Sequence, residues 1–197
     1  MKYKNVVFDF GNVIGGFDGR YMLEQFCTSE KDRDLLAPVI FAGWQELDRG
    51  TVDYDEYVEE MVSSVPARLE NTVRSFFRGW PDHITPIRET QELIGELYQK
   101  GVPVYLLSNA PTYFAEWAKG CGILKMFSGI VFSAPLKMAK PDPEIYRYLF
   151  ETYSLKPEES FFIDDLRSNI ETGRKLGMEG IVFTGDIGKV KAALGMI

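Results

Sequence analysis

The chain has 197 residues, 45% hydrophobic and 26% charged, an ordinary globular balance that suits one domain carrying a sizeable insertion. A formal net charge of -7 and a pI near 4.9 argue against nucleic acid or an anionic membrane as partner, because the bulk field repels phosphate polymers. A small phosphorylated metabolite stays open, since local cations can outweigh a weak global field that is screened over about 8 to 10 Å.

Taken in chain order, Val6-Val7-Phe8-Asp9-Phe10 is a near-continuous apolar run of the kind that a strand covered on both faces requires. Residues 16–85 then hold no convincing strand. Arg20–Phe26, Asp32–Ala37, Trp44–Asp48, Asp53–Val62 and Ala67–Phe77 all read as helices. A connection this long needs a core of its own. Met22, Leu23 and Phe26, then Tyr57, Val58, Met61 and Val62, then Val73, Phe76 and Phe77 offer apolar faces for one.

From there strands and helices alternate. An amphipathic helix over Ile87–Tyr98 stops at Gly101, a strand follows over Val102–Ser108, and Pro111–Lys119 reads as the next helix. Ile130–Ser133 is the third strand. Asp142-Pro143, an N-cap with a first-turn proline, opens a helix over Glu144–Tyr153. Phe161–Asp165 is the fourth strand, Ser168–Leu176 a helix ending at Gly177, Gly180–Thr184 the fifth strand, and Lys189–Leu194 a closing helix. The alternation predicts an α/β fold: a doubly wound, Rossmann-like parallel sheet made by residues 1–15 and 86–197, with an all-helical cap domain inserted as residues 16–85.

No apolar run approaches the roughly 20 residues of a membrane helix, and Met1–Asn5 carry no signal region, so a cytoplasmic protein is expected. Cys27 and Cys121 have no CxxC spacing, and His83 is the one histidine that could join them. They are expected to be free thiols rather than a disulfide or a zinc site.

In open parallel sheets, ligands sit outside the carboxyl ends of the strands. The polar residues there are Asp9 with Gly11 and Asn12 after the first strand, Ser108-Asn109 after the second, Lys140 between the third and fourth, and Asp164-Asp165 after the fourth. Carboxylates converging on one sheet edge repel each other unless a cation lies among them, and hard oxygen donors suit Mg²⁺. A hydroxyl, an amide and a lysine are what the equatorial oxygens of a phosphoryl group need. A carboxylate can attack phosphorus to give an aspartyl phosphate, which water then hydrolyses.

These residues resemble the haloacid dehalogenase superfamily, in its subgroup of phosphatases with a helical cap after the first strand. Val7-Phe8-Asp9-Phe10-Gly11-Asn12-Val13-Ile14 resembles the first motif of that family and Leu106-Leu107-Ser108-Asn109 the second. Lys140-Pro141-Asp142-Pro143-Glu144-Ile145-Tyr146 resembles the third, and Phe162-Ile163-Asp164-Asp165 with Asn169 and Leu176-Gly177-Met178 the fourth. The cap matches only through Asp48-Arg49-Gly50 and Gly79-Trp80. The resemblance implies that Asp9 is the nucleophile and a Mg²⁺ ligand, and that Gly11 offers its backbone carbonyl to the metal. Ser108, Asn109 and Asn12 would bind the substrate, and Lys140 would neutralise charge. Asp165 would ligate the metal directly, with Asp164 beside it or acting through water.

One departure matters. The family's phosphatases carry a second Asp two residues after the nucleophile as general acid and base, and here that position is Gly11. The motif is close to that of bacterial α-glucose-1-phosphate phosphatases and related sugar-phosphate phosphatases. Asp18 is a replacement acid if it swings in through the flexible Gly15-Gly16 pair, and otherwise caps the first cap helix. Trp44 and Trp80 are expected to pack cap against core, Arg20 and Arg49 to be solvated, and Arg167 to begin a helix. The expected function is a Mg²⁺-dependent phosphatase acting on a small phosphorylated metabolite such as a sugar phosphate, working as a monomer or weak homodimer. The alternatives are a metal-free dehalogenase, against which Asp164-Asp165 argues, and a non-catalytic binding protein that lost its chemistry at Gly11.

Overall fold

The computed structural model describes residues 1–197. Five strands form one parallel sheet: β1 (Asn5–Phe8), β4 (Val104–Ser108), β5 (Gly129–Phe132), β6 (Ser160–Asp164) and β7 (Glu179–Val182), in the order β5-β4-β1-β6-β7. Two further strands, β2 (Gly15–Gly16) and β3 (Thr85–Pro86), pair antiparallel as a short ribbon. The helices are α1 (Gly19–Glu24), α2 (Glu30–Ile40), α3 (Trp44–Arg49), α4 (Tyr54–Ser63), α5 (Glu70–Gly79), α6 (Arg88–Gln99), α7 (Thr112–Ala118), α8 (Ser133–Leu136), α9 (Pro143–Tyr153), α10 (Arg167–Lys175) and α11 (Ile187–Leu194). None is long and apolar enough to cross a membrane.

Both faces of the sheet are buried, which is why its strands read as unbroken apolar runs. The period-2 geometry of a strand then sorts them. Val6, Phe8, Val104, Leu106, Phe161 and Ile163 join a cluster of 36 buried residues on one face. Val7, Tyr105, Leu107 and Phe162 join a cluster of 11 on the other, under Ile145, Tyr146 and Leu149 of α9 and Ile170 of α10. The larger cluster runs without a break from the sheet into α1 to α5, through Met22, Leu23, Tyr57, Met61, Val62, Val73, Phe76 and Phe77. The inserted helices therefore share a core with the sheet, where the sequence suggested a core of their own.

Among the differences from the sequence expectation, which include the short α8 beginning at Ser133, three bear on the insert. The ribbon is new: the chain leaves the sheet through Gly15–Gly16 and returns through Thr85–Pro86, and Ile87 N–H also donates to Ile14 C=O at 2.9 Å. Gly15 is there for closeness rather than for flexibility, since a Cβ would stand 2.5 Å from Ile84 Cγ2 and 2.9 Å from Phe10 Cε1. Second, α2 continues past Pro38, where the sequence suggested a stop at Ala37. The helix runs two residues further to a fully buried Ile40, and that burial offsets the backbone hydrogen bond that Pro38 cannot donate. Third, Ala67–Leu69 form a separate 3₁₀ turn before α5.

Candidate active site

Sheet order decides where a ligand can sit. From β1 the chain goes to β4 and β5 on one side, then crosses to β6 and β7 on the other, so the winding reverses between β1 and β6. The crevice at such a reversal is the usual binding site of the fold. Phe8 is in register with Leu106 on β4 and Ile163 on β6, so the residues that follow all three emerge at one level. Asp9 follows β1, with its N–H donating to Ile163 C=O at 2.9 Å. Ser108 ends β4, Asp164 ends β6, and Lys140 arrives on the segment before α9. A cavity of about 720 Å³ opens here, lined by Asp9, Gly11, Asn12, Ser108, Asn109, Lys140 and Asp165, among others.

The electrostatic centre is Lys140. Its buried Nζ stands 2.8 Å from Asp9 Oδ1 and 2.7 Å from Asp164 Oδ2. Burial alone would lower the ammonium, but the charges of Asp9 and Asp164 outweigh it and its pKa is raised. Burial, with Asp164 adding its charge, raises Asp9 above the ordinary carboxylate range, and Lys140 opposes the rise. Asp9 Oδ1 also accepts the Phe10 N–H at 2.7 Å, while Oδ2 accepts no donor from the protein. That second oxygen is the one left for chemistry.

Asp164 is engaged on both oxygens. It accepts from Leu166 N–H at 2.8 Å and from Asn169 Nδ2 at 2.9 and 3.0 Å, besides Lys140. Asp165 is half-exposed and accepts only Asn12 Nδ2, at 3.1 Å; burial raises its pKa above the usual value. One carboxylate oxygen each from Asp9, Asp164 and Asp165 lies within 4.8 Å of the others. Three hard oxygen donors, two of them raised by burial and by like charge, form a donor set that fits Mg²⁺.

The two asparagines hold the site together. Asn109 Nδ2 donates to Lys140 C=O and its Oδ1 accepts Lys140 N–H, each at 2.8 Å, so its side chain clamps the lysine's backbone. Asn12, at φ 54°, accepts Phe17 N–H at 3.0 Å through Oδ1 while Nδ2 holds Asp165. Both amides were expected to bind substrate, and both are engaged within the protein at either end. Asp18 accepts Arg20 and Tyr21 N–H as the N-cap of α1, and it does not line the cavity. Trp44 and Trp80 line the cavity and also pack on each other and on Phe17. Arg49 is paired with Asp142, Arg20 with Glu30, and Arg167 begins α10.

A family model described as haloacid dehalogenase-like hydrolase matches residues 3–177. The chain belongs to this family. Among curated relatives, it is 28% identical to the D-ribitol-5-phosphate phosphatase of Bacteroides thetaiotaomicron over 89% of each chain. It is 25% identical to a sesquiterpene phosphatase of Aspergillus oryzae, over 92% of this chain and 90% of that one. A solved haloacid dehalogenase family enzyme from B. thetaiotaomicron, in complex with magnesium and inorganic phosphate, superposes with a TM-score of 0.74 at 22% identity, covering 95% of this chain and 98% of that one. The chain is thus a hydrolase by family, and its named relatives are phosphatases.

One polar group in the cavity has no role in the sequence reading, where it appears only as a helix end and within the cap likeness Asp48-Arg49-Gly50. Asp48, on the last turn of α3, lines the same cavity. Its backbone C=O accepts the Ser133 hydroxyl, while Gly50, at φ 71°, lies so close to Ala134 C=O that a Cβ would clash with it. These contacts fasten the insert to the core beside Asn109 and Ala110. The sequence held no signal for them, because Asp48 and Ser133 lie 85 residues apart.

Proposed function

We propose that this hydrolase is a magnesium-dependent phosphatase of a small phosphorylated metabolite such as a sugar phosphate, working through an aspartyl phosphate on Asp9. The observation that carries this reading is the state of Asp9: one oxygen is fixed by Lys140 and the Phe10 N–H, and the other has no partner within the protein. A nucleophile oriented in this way is ready for in-line attack. Lys140 would neutralise the charge that builds up between Asp9 and the phosphoryl group. Ser108, buried at the end of β4 with only a 3.4 Å contact to Asn109 C=O, would donate to a phosphoryl oxygen. Asp9, Asp165 and the Gly11 carbonyl would hold Mg²⁺, with Asp164 behind them positioning Lys140. When bound, the ion would offset the negative charge of carboxylates and phosphoryl oxygens brought together.

Residues 16–85 serve as the cap in this reading, and residues 1–15 and 86–197 as the catalytic core. Trp44, Trp80 and Phe17 would cover the leaving group and exclude bulk water. The engaged pair Asp164-Asp165 favours this chemistry over metal-free dehalogenation, which has no use for two acids at that strand end.

The test is a panel of phosphorylated sugars and polyols plus an aryl phosphate, each with Mg²⁺ and with EDTA. Hydrolysis that needs Mg²⁺ and disappears in Asp9→Asn is expected. Absence of Mg²⁺-dependent turnover across the whole panel would overturn the proposal.

A further inference from the structure

Gly11 leaves the phosphatase reaction without an acid for its leaving group. Nothing stands within 4 Å of where a Cβ at Gly11 would be, so the cavity is open at that point. Four carboxylates line the cavity: Asp9, Glu46, Asp48 and Asp165. Asp9 is held by Lys140, Asp165 is held by Asn12, and Glu46 is exposed.

Asp48 differs from all three. Its Oδ1 is removed from solvent and has no hydrogen-bond partner anywhere in the chain. The neighbouring guanidinium does not serve it, because Arg49 is turned to Asp142. Its backbone is nevertheless fixed on the core, through the Ser133 hydroxyl and the close approach of Gly50 to Ala134. Buried polar atoms are nearly always paired, so an unpaired oxygen on a residue that lines the cavity calls for a partner from outside the chain. A ligand in the cavity that Asp48 shares with Asp9 is such a partner.

We propose that Asp48 is the general acid and base of this reaction, supplied by the cap in place of the side chain that Gly11 lacks. The assignment rests on the phosphatase reading above. In the first half-reaction Asp9 Oδ2 bonds to phosphorus, the bond from phosphorus to the leaving oxygen breaks, and the Asp48 carboxyl proton passes to that oxygen. In the second, a water oxygen bonds to phosphorus, the Asp9–phosphorus bond breaks, and the water's proton returns to Asp48. The products are an alcohol and inorganic phosphate, and both carboxylates regain their starting state.

The surroundings suit this role. Burial raises Asp48 to about 7, with the charge of Asp9 adding to the rise and Lys140 opposing it. A carboxyl poised near neutrality can both give and take a proton. The other charges nearby are Glu46 and Arg49 on its own helix and Asp142 bound to Arg49.

The experiment compares wild type with Asp48→Asn, both with Mg²⁺, on two substrates. The alkyl ester is the sugar or polyol phosphate of the panel above that wild type hydrolyses fastest, with a poor alkoxide leaving group that needs protonation, and 2,4-dinitrophenyl phosphate has a good one that does not. In kcat/KM, which reports the first half-reaction alone, Asp48→Asn should lose about 10²- to 10⁴-fold on the alkyl ester and stay within about threefold on the aryl ester, while kcat on the aryl ester falls with the loss of the base in the second half-reaction. Its thermal midpoint should be unchanged or higher, because Asp48 Oδ1 bonds to nothing that the variant would lose. Asp48→Ala should show the same split, and added formate should restore part of its alkyl-ester rate. Equal losses in kcat/KM on both esters, no loss on either, or a rise in KM with kcat intact overturns the assignment while leaving the phosphatase reading standing. Wild type inactive across the whole panel above overturns the two together.

Discussion

Replacing Lys140 by Met removes the one cation between two buried carboxylates while keeping most of the side-chain volume. The lysine side chain is 1% exposed, and those of its partners Asp9 and Asp164 are 10% and 0% exposed. Removing one partner from a buried ion pair typically costs about 3 to 5 kcal/mol, because the charge left behind is uncompensated. For a chain of this length each kcal/mol moves the midpoint by about 2 to 4 °C, so Lys140→Met should unfold about 6 to 20 °C below wild type. The assay is thermal unfolding by circular dichroism at neutral pH in EDTA, so that no added cation fills the gap. Adding Asp164→Asn to the variant removes one stranded charge and should recover about 1 to 3 kcal/mol. A Lys140→Met protein within about 1 kcal/mol of wild type would refute the reasoning, since the carboxylates would then not depend on the lysine.

Other substitutions probe the fold around the site. Gly50→Ala places a Cβ 2.2 Å from Ala134 C=O at a left-handed φ of 71°; it should cost about 2 kcal/mol or more and lower kcat/KM, as measured by denaturant unfolding and steady-state kinetics, because Asp48 rides on the same turn. Glu96 accepts from Lys100 and Lys191 at 2.7 Å each, and these hydrogen bonds hold its pKa down to about 2. A depressed carboxylate stabilises above its unfolded value of about 4.3 and loses that effect as pH falls through its folded value. Glu96→Gln should therefore be less stable than wild type at pH 7, with the gap closing between about pH 4.5 and pH 2 in melts across that range. Mg²⁺ at a hundred times its dissociation constant should stabilise wild type by about 2.7 kcal/mol, and Asp165→Asn should lose most of that thermal shift.

The sheet and the strand-end residues were legible because burial on both faces leaves a plain mark in a sequence. A run such as Phe161-Phe162-Ile163 has no other easy reading, and the polar residues that end such runs stand out against it. The helices of the insert were legible from their periodic apolar faces. What escaped has a physical reason in each case. The ribbon of Gly15–Gly16 with Thr85–Pro86 is two residues long on each side and carries no periodicity. The protein partners of Asn12 and Asn109 are tertiary facts: the Lys140 backbone reached by Asn109 lies 31 residues away. Asp48 stands in the sequence only as a helix end and part of a cap likeness, because what sets it apart is the partner it lacks, and only three-dimensional packing reveals that.

The ribbon has a consequence for how this chain can be altered. Because the outgoing and incoming segments lie side by side, the length of chain between them is uncoupled from the spacing of the strands. A shorter or longer excursion could begin at Gly16 and end at Thr85 without shifting Asp9 relative to Lys140. A graft from another member of the family would then have two further requirements: an apolar face to seal the open side of the sheet, and a carboxyl delivered above Asp9. Chimeras made at this junction could separate recognition of the substrate from the machinery beneath it, with one set of strand ends serving many different covers.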